Sequence, residues 1–180
     1  MIRAIIGTVA VLAGFVVVET SSDASTGLAG SCKATQVYAL PGEEPMPVRA
    51  APTHEGAIIG TLAIADKGTE TAPSVVTLTG SKKGWARIAL DAKDYSPIDG
   101  TQRTYGWVPA DLLAVDTRLV GPVKIYDQPG LLGSEIGQLG NQDQKFRLLG
   151  CRGGLLQVIN AQEGNIWIDR WCGTGRSCRD

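Results

Sequence analysis

The side chains able to do chemistry on a bound molecule are few, and their spacing points to recognition rather than catalysis. His54 is the one histidine, within Thr53-His54-Glu55-Gly56, and the four cysteines are Cys32, Cys151, Cys172 and Cys178. A nucleophilic cysteine needs a base within hydrogen-bond reach. His54 has no partner near it in sequence and reads as an exposed loop residue without a role. Gly-x-Ser-x-Gly, Ser-x-x-Lys and His-Glu-x-x-His patterns are all missing. Asp91, Asp94 and Asp99 share one loop, but a calcium loop alternates its ligands and closes on a glutamate. A solvated acidic loop is expected instead. These residues give no catalytic set, no metal site and no cofactor, and the chain reads as a non-enzyme.

Aromatic side chains offer more. Trp85, Tyr105 and Trp107 lie in short apolar runs, and aromatic faces suit sugar rings and proline-rich or extended peptides. A small domain has few large residues for its core, so Trp107 and Trp167 are also expected to be structural. Trp171, beside Cys172, is expected to pack on a disulfide.

The elements that must hold these residues occur twice. Val48-Arg49-Ala50-Ala51-Pro52 leads to Ile59-Gly60-Thr61-Leu62, with Ile59 seven positions after Pro52. Ile125-Tyr126-Asp127-Gln128-Pro129 leads to Ile136-Gly137-Gln138-Leu139 at the same spacing. Gly84-Trp85-Ala86-Arg87-Ile88 is answered by Gly154-Leu155-Leu156-Gln157-Val158, and Gly106-Trp107-Val108 by Ile166-Trp167-Ile168. A repeat of this size predicts two small units of one architecture. Runs such as Ser74–Thr79, Trp85–Leu90 and Leu155–Ile159 are β-branched or aromatic and bounded by turn formers, which predicts strands. A further strand is expected over Ala34–Leu40, and hairpins before Trp85 and Leu155. Pro109–Leu113 is the one helical stretch, about a turn long and compatible with 3₁₀. The first copy carries an extra polar segment, Asp91 to Thr104, read as a tolerated surface loop with recognition as the rival role. Ala114 to Gly121 is expected to link the copies.

Charge and cysteine usage narrow the setting. Seventeen basic and eighteen acidic residues nearly cancel, so no general attraction to nucleic acid or anionic lipid is implied. Arg3 precedes an apolar run from Ala4 to Val18 broken only by Thr8, followed by small and polar residues. That is the plan of a secretory signal over residues 1–29, with cleavage after Ala24 or Ala29. The alternative is an uncleaved anchor in the inner membrane, although a bilayer core needs ~20 apolar residues. Either way the remainder is exported, to the periplasm or beyond. A lipoprotein modification at Cys32 is disfavoured, because the cysteine lies far beyond the apolar run. In an exported chain four cysteines are two disulfides, with three pairings open, and at least one bridge must join two of Cys151, Cys172 and Cys178. The Cys-x-x-Cys spacing of structural zinc is absent.

Val48-Arg49-x-x-Pro52, Ile59-Gly60-Thr61-Leu62, Gly84-Trp85-Ala86-Arg87-Ile88 and Tyr105-Gly106-Trp107-Val108 together resemble the bacterial SH3-like domain family over roughly residues 34–115. The second copy resembles a divergent member over roughly 116–172, with Tyr126, Leu155 and Ile166 at motif positions. The resemblance implies an all-β chain of two tandem SH3-like β-barrels, residues 30–115 and 116–180, the second with a disulfide-linked C-terminal tail. It also implies a binding role in the cell envelope, toward peptidoglycan or an envelope protein, with Arg49, Trp85, Tyr105 and Trp107 as ligand-contacting residues. The alternative is a partner or inhibitor subunit of a specific envelope enzyme.

Overall fold

The structure is a computed structural model that describes residues 30–65, 73–91, 93–100, 103–117, 122–140 and 144–174. The signal-like segment and Cys178 lie outside the described residues. The protein is all-β. Its strands are β1 (Gly30–Ala39), β2 (Met46–Arg49), β3 (Ile58–Leu62), β4 (Val75–Lys82), β5 (Trp85–Ala89), β6 (Tyr95–Pro97) and β7 (Tyr105–Pro109). After a 3₁₀ turn (Ala110–Leu112) come β8 (Leu113–Asp116), β9 (Val123–Tyr126), β10 (Glu135–Leu139), β11 (Lys145–Arg152), β12 (Leu155–Asn160) and β13 (Gly164–Ile168).

Sequence alternation explains the strands. In β4 the inward positions Val76 and Leu78 are buried while Val75, Thr77 and Thr79 are half-buried, the period of two that a one-sided sheet demands. A bulge between Leu78 and Gly80 then turns Gly80 toward Arg87. The hairpin between β4 and β5 turns at Lys83 and Gly84, with φ of 48° and 80°. Two successive positive φ values match the right-handed twist of the flanking strands.

The strand pairings are antiparallel and join all thirteen strands in one sheet, ordered β10-β9-β13-β12-β11-β8-β1-β4-β5-β7-β2-β3-β6. This sheet does not close on itself, where two separately closed barrels were expected. The reason lies at its centre. The supposed linker begins as strand β8, whose four residues are all buried. It pairs with β1 on one side, Tyr38 opposite Ala114, and with β11 on the other, Phe146 opposite Val115. Read outward from the β1–β8 contact, the two arms repeat one order. They run β1-β4-β5-β7-β2-β3 in one direction and β8-β11-β12-β13-β9-β10 in the other. Strand β6 is an addition to the first arm. It comes from the extra polar segment and pairs with β3, with the Tyr95 hydroxyl donating to the Ile59 carbonyl at 3.1 Å.

Buried apolar side chains of both halves, from Val37 and Leu78 to Phe146 and Ile168, form one contiguous core. Two further ties join the halves. Cys32 and Cys151 form a disulfide with their Cα atoms 5.6 Å apart, spanning 119 residues. Ser81 Oγ accepts from the Cys151 amide at 2.9 Å and donates to its carbonyl at 3.1 Å. Cys172 is disulfide-bonded as well. Trp171 is half-buried against the core, and its indole N–H donates to the Thr35 hydroxyl at 3.1 Å. Among the described residues, no helix is long and apolar enough to cross a membrane.

Candidate functional site: an arginine–tryptophan ladder

Three neighbouring strands of the first half carry the residues singled out for recognition. In β5 the core-facing positions are Ala86 and Ile88, so Trp85 and Arg87 point to the opposite face. In β7 Gly106 and Val108 face inward, leaving Tyr105 and Trp107 outside. In β2 Met46 and Val48 face inward, leaving Arg49 outside. Register then aligns them. Arg87 is opposite Trp107, which is opposite Arg49, so a tryptophan stands between two arginines in one row across three strands. Cross-strand neighbours of this kind project to the same face. Trp85 lies on that face beyond Arg87, and Tyr105 on the other side of Trp107.

All four expected residues therefore share one surface, and their exposure differs. Trp85 and Trp107 are 7% and 8% exposed, and Tyr105 is 51% exposed. Tyr105 alone of the three aromatics offers an open ring. The Arg87 guanidinium stacks over it, with Cζ 5.3 Å from the ring centroid. Arg87 is itself held by Thr79, donating from Nε to the hydroxyl and from Nη2 to the carbonyl, each at 3.1 Å. Arg49 donates from Nη1 to the Gly56 carbonyl at 2.7 Å and so pins the loop after β2.

That loop brings in a residue expected to have no role. His54, exposed at the loop tip, sets its ring edge-on to Trp85 with centroids 5.1 Å apart. Next to it Glu55 accepts from the Thr53 hydroxyl. This bond is the first cause holding its carboxyl below the usual range, with a smaller contribution from the nearby charge of Arg49. Beyond Trp85 the face runs into a cleft of about 520 Å³ between the halves, lined by His54, Trp85, Asp111, Leu112, Leu148 and Leu149 among others.

Two members of the surface were missed. Arg87 is two positions after Trp85 on one strand, and Lys82 is paired with Trp85 across the hairpin. Arg87 follows from the period of two, whereas Lys82 reaches this face only because β4 bulges between Leu78 and Gly80, which no local pattern announces. Among the described residues, no group of three or more His, Cys, Asp or Glu is gathered to hold a metal.

The corresponding row of the second half is Gln157 opposite Trp167 opposite Tyr126. Its charges are gone. The Tyr126 hydroxyl donates to Asp169 Oδ2 at 3.3 Å, and its pKa is raised, first by burial and then by that carboxylate. The chain matches no family model, no curated protein and no solved structure.

Proposed function

We propose that this chain is a non-enzymatic binding module of the bacterial cell envelope, which holds peptidoglycan or an envelope protein on the arginine–tryptophan ladder. In this reading its two halves are divergent SH3-like units fused through β8. The motifs from Val48 to Val108 and the repeated strand order support the kinship. The signal-like N-terminus supports export to the periplasm or cell surface. The observation that carries the binding role is the ladder itself. Arg49, Trp107 and Arg87 in one row, flanked by Trp85 and Tyr105, form a concentrated recognition surface of a kind the second half lacks.

Co-sedimentation with purified sacculi, alongside affinity capture from envelope extracts, tests this. The discriminating variant is Tyr105→Ala, because Tyr105 is exposed and its loss leaves the core intact. Retention by wild type and weaker retention of the variant is the expected result. Retention unchanged by the substitution, or no retention in either assay, would overturn it. A second reading, a subunit that partners or inhibits an envelope enzyme, draws on Leu131 and Leu132. They are 106% and 82% exposed between β9 and β10, an apolar tip suited to a protein pocket. It predicts stoichiometric co-purification with one enzyme and no affinity for sacculi.

A further inference from the structure

We infer that the ladder selects a carboxylate-bearing partner, an acidic polypeptide segment lying extended across β5, β7 and β2. This deepens the reading above and rests on its assignment of the binding face. Charge is the first argument. Strands β2, β4, β5 and β7 contain no Asp or Glu, while their outward positions include Arg49, Lys82 and Arg87. None of the three is ion-paired among the described residues. The ion pairs there lie elsewhere, Arg103 with Asp99 and Lys124 with Glu135. Two carboxylates neighbour the face: Glu55, exposed and engaged by Thr53, and Asp111, exposed in the cleft beyond Trp85 and off the Arg49–Trp107–Arg87 row.

Preorganisation is the second argument. A guanidinium has five N–H donors. Arg87 commits two of them to Thr79 and Arg49 one to Gly56. The remainder are left for a ligand on side chains already fixed in place, which lowers the entropy cost of binding. Arginine forks match carboxylates in geometry as well as charge.

Spacing is the third. Arg49 and Arg87 are two strand steps apart, ~9.6 Å. Acidic residues at i and i+2 of an extended chain are ~7 Å apart and at i and i+4 ~13 Å, so arginine side chains reach either pair. Burial argues against nucleic acid and against stacked sugar rings. Trp85 and Trp107 are too covered to stack on a base or a pyranose, and Arg87 already occupies one face of Tyr105.

Fluorescence anisotropy on the full chain decides the matter. The probes are a labelled peptide of alternating glutamate and glycine, its glutamine–glycine counterpart and an oligothymidylate. The glutamate peptide is expected to bind at least about tenfold more tightly than the glutamine peptide, with affinity falling as salt rises. The double variant Arg49→Gln, Arg87→Gln is expected to lose about tenfold or more. Lys82→Gln, at the hairpin end and free of structural bonds, asks the same question with least risk to folding, and its melting curve is the control. Equal binding of the two peptides, tighter binding of the oligonucleotide, or no weakening in variants that melt like wild type would refute carboxylate selection. Sacculus retention indifferent to salt and to all three substitutions would refute it while leaving the envelope role intact. Glutamate-peptide binding with no retention in the sacculus and extract assays would do the reverse.

Discussion

In the first half, Gly106 opens a space in the core that Val48 and Ile59 fill. A Cβ on Gly106 would overlap Val48 Cγ1 and stand 3.3 Å from Ile59 Cδ1, and Ile59 is 4% exposed. In the second half the glycine is replaced by Ile166, which is 6% exposed and fills the core itself, and the partner isoleucine, Ile136, is turned out to 60% exposure. The same exchange runs across the outer faces. One half presents Arg87, Trp107 and Arg49 with a loop pinned by Arg49. The other presents Gln157, Trp167 and Tyr126 with a loop ending in bare leucines. One strand order thus tolerates two solutions for its core and two unrelated surfaces. The backbone frame is set by glycine turns and inward apolar positions, which leaves outward positions free to diverge.

The largest test asks whether the halves are one folding unit at all. Replacing Cys32 and Cys151 together by alanine removes a bridge across 119 residues, a loop whose closure contributes about 4–5 kcal/mol. A continuous sheet with a shared core predicts a single transition moved to lower temperature for both halves. Two separated transitions by differential scanning calorimetry would restore the picture of independent units.

The core exchange gives the next effect. Ile59→Ala should cost about 2–5 kcal/mol as a buried truncation, while Ile136→Ala at the matching position should cost under about 0.5 kcal/mol. Urea midpoints of the two variants measure the difference, and equal losses would show that the two cores are filled alike. Gly106→Ala should cost about 1–3 kcal/mol by overpacking.

Loop anchoring comes third. Arg49→Ala removes a charged donor from the Gly56 carbonyl, and a loss of about 1–2 kcal/mol is expected. Freed of its pin, the loop should withdraw His54 from Trp85 and change the tryptophan emission. Tyr126→Ala, at the same ladder position, should leave its own loop unaltered.

The smallest effect is electrostatic. Lys124 and Glu135 pair at 2.8 Å on the edge of the second half. The Lys124 side chain is the first cause holding the Glu135 carboxyl below its usual 4.5. Glu135 in turn raises Lys124 above 10.5. A lowered carboxyl contributes stability above its ordinary pKa and loses it as pH falls through the folded value. A raised amine contributes below its ordinary pKa and loses it as pH rises through the folded one. The pair is therefore intact between those limits. Glu135→Gln should make the acid limb of the stability profile, as pH falls below the ordinary carboxylate range, slightly shallower than wild type. Glu55→Gln should act in the same direction in the first half, because the neutral amide no longer titrates where the Thr53-held carboxylate does.

Much of this was readable beforehand because it is local. Strands β4, β5 and β12, the hairpin at Lys83-Gly84 and the short 3₁₀ turn follow from a period of two and from turn residues, while the common face of Arg49, Trp85, Tyr105 and Trp107 needs the β5–β7–β2 register as well. What was not legible depends on contacts distant in sequence. The β1–β8 pairing joins Tyr38 to Ala114, and nothing near either residue announces the other. Tyr95-Ser96-Pro97 has no apolar alternation and reads as polar loop, and strand β6 forms by adding to an edge that β3 offers. Trp85 meets His54 from a loop thirty residues earlier that Arg49 pins, a contact no local pattern announces. Cysteine spacing limited the bridges without choosing among them.

Strand β8 also sets an order of events. It completes the first arm after the 3₁₀ turn and begins the second, so a chain emerging N-terminus first can finish residues 30–116 before β9 exists. The reverse does not hold. A cut after Asp116 bares an edge on each piece, that of β8 on one and that of β11 on the other. Only the C-terminal piece also loses the strand that begins its arm, an open invitation to other strands. Proteolysis on the C-terminal side of β8 should therefore leave a soluble N-terminal product and an aggregating remainder, an asymmetry visible on a gel after limited digestion.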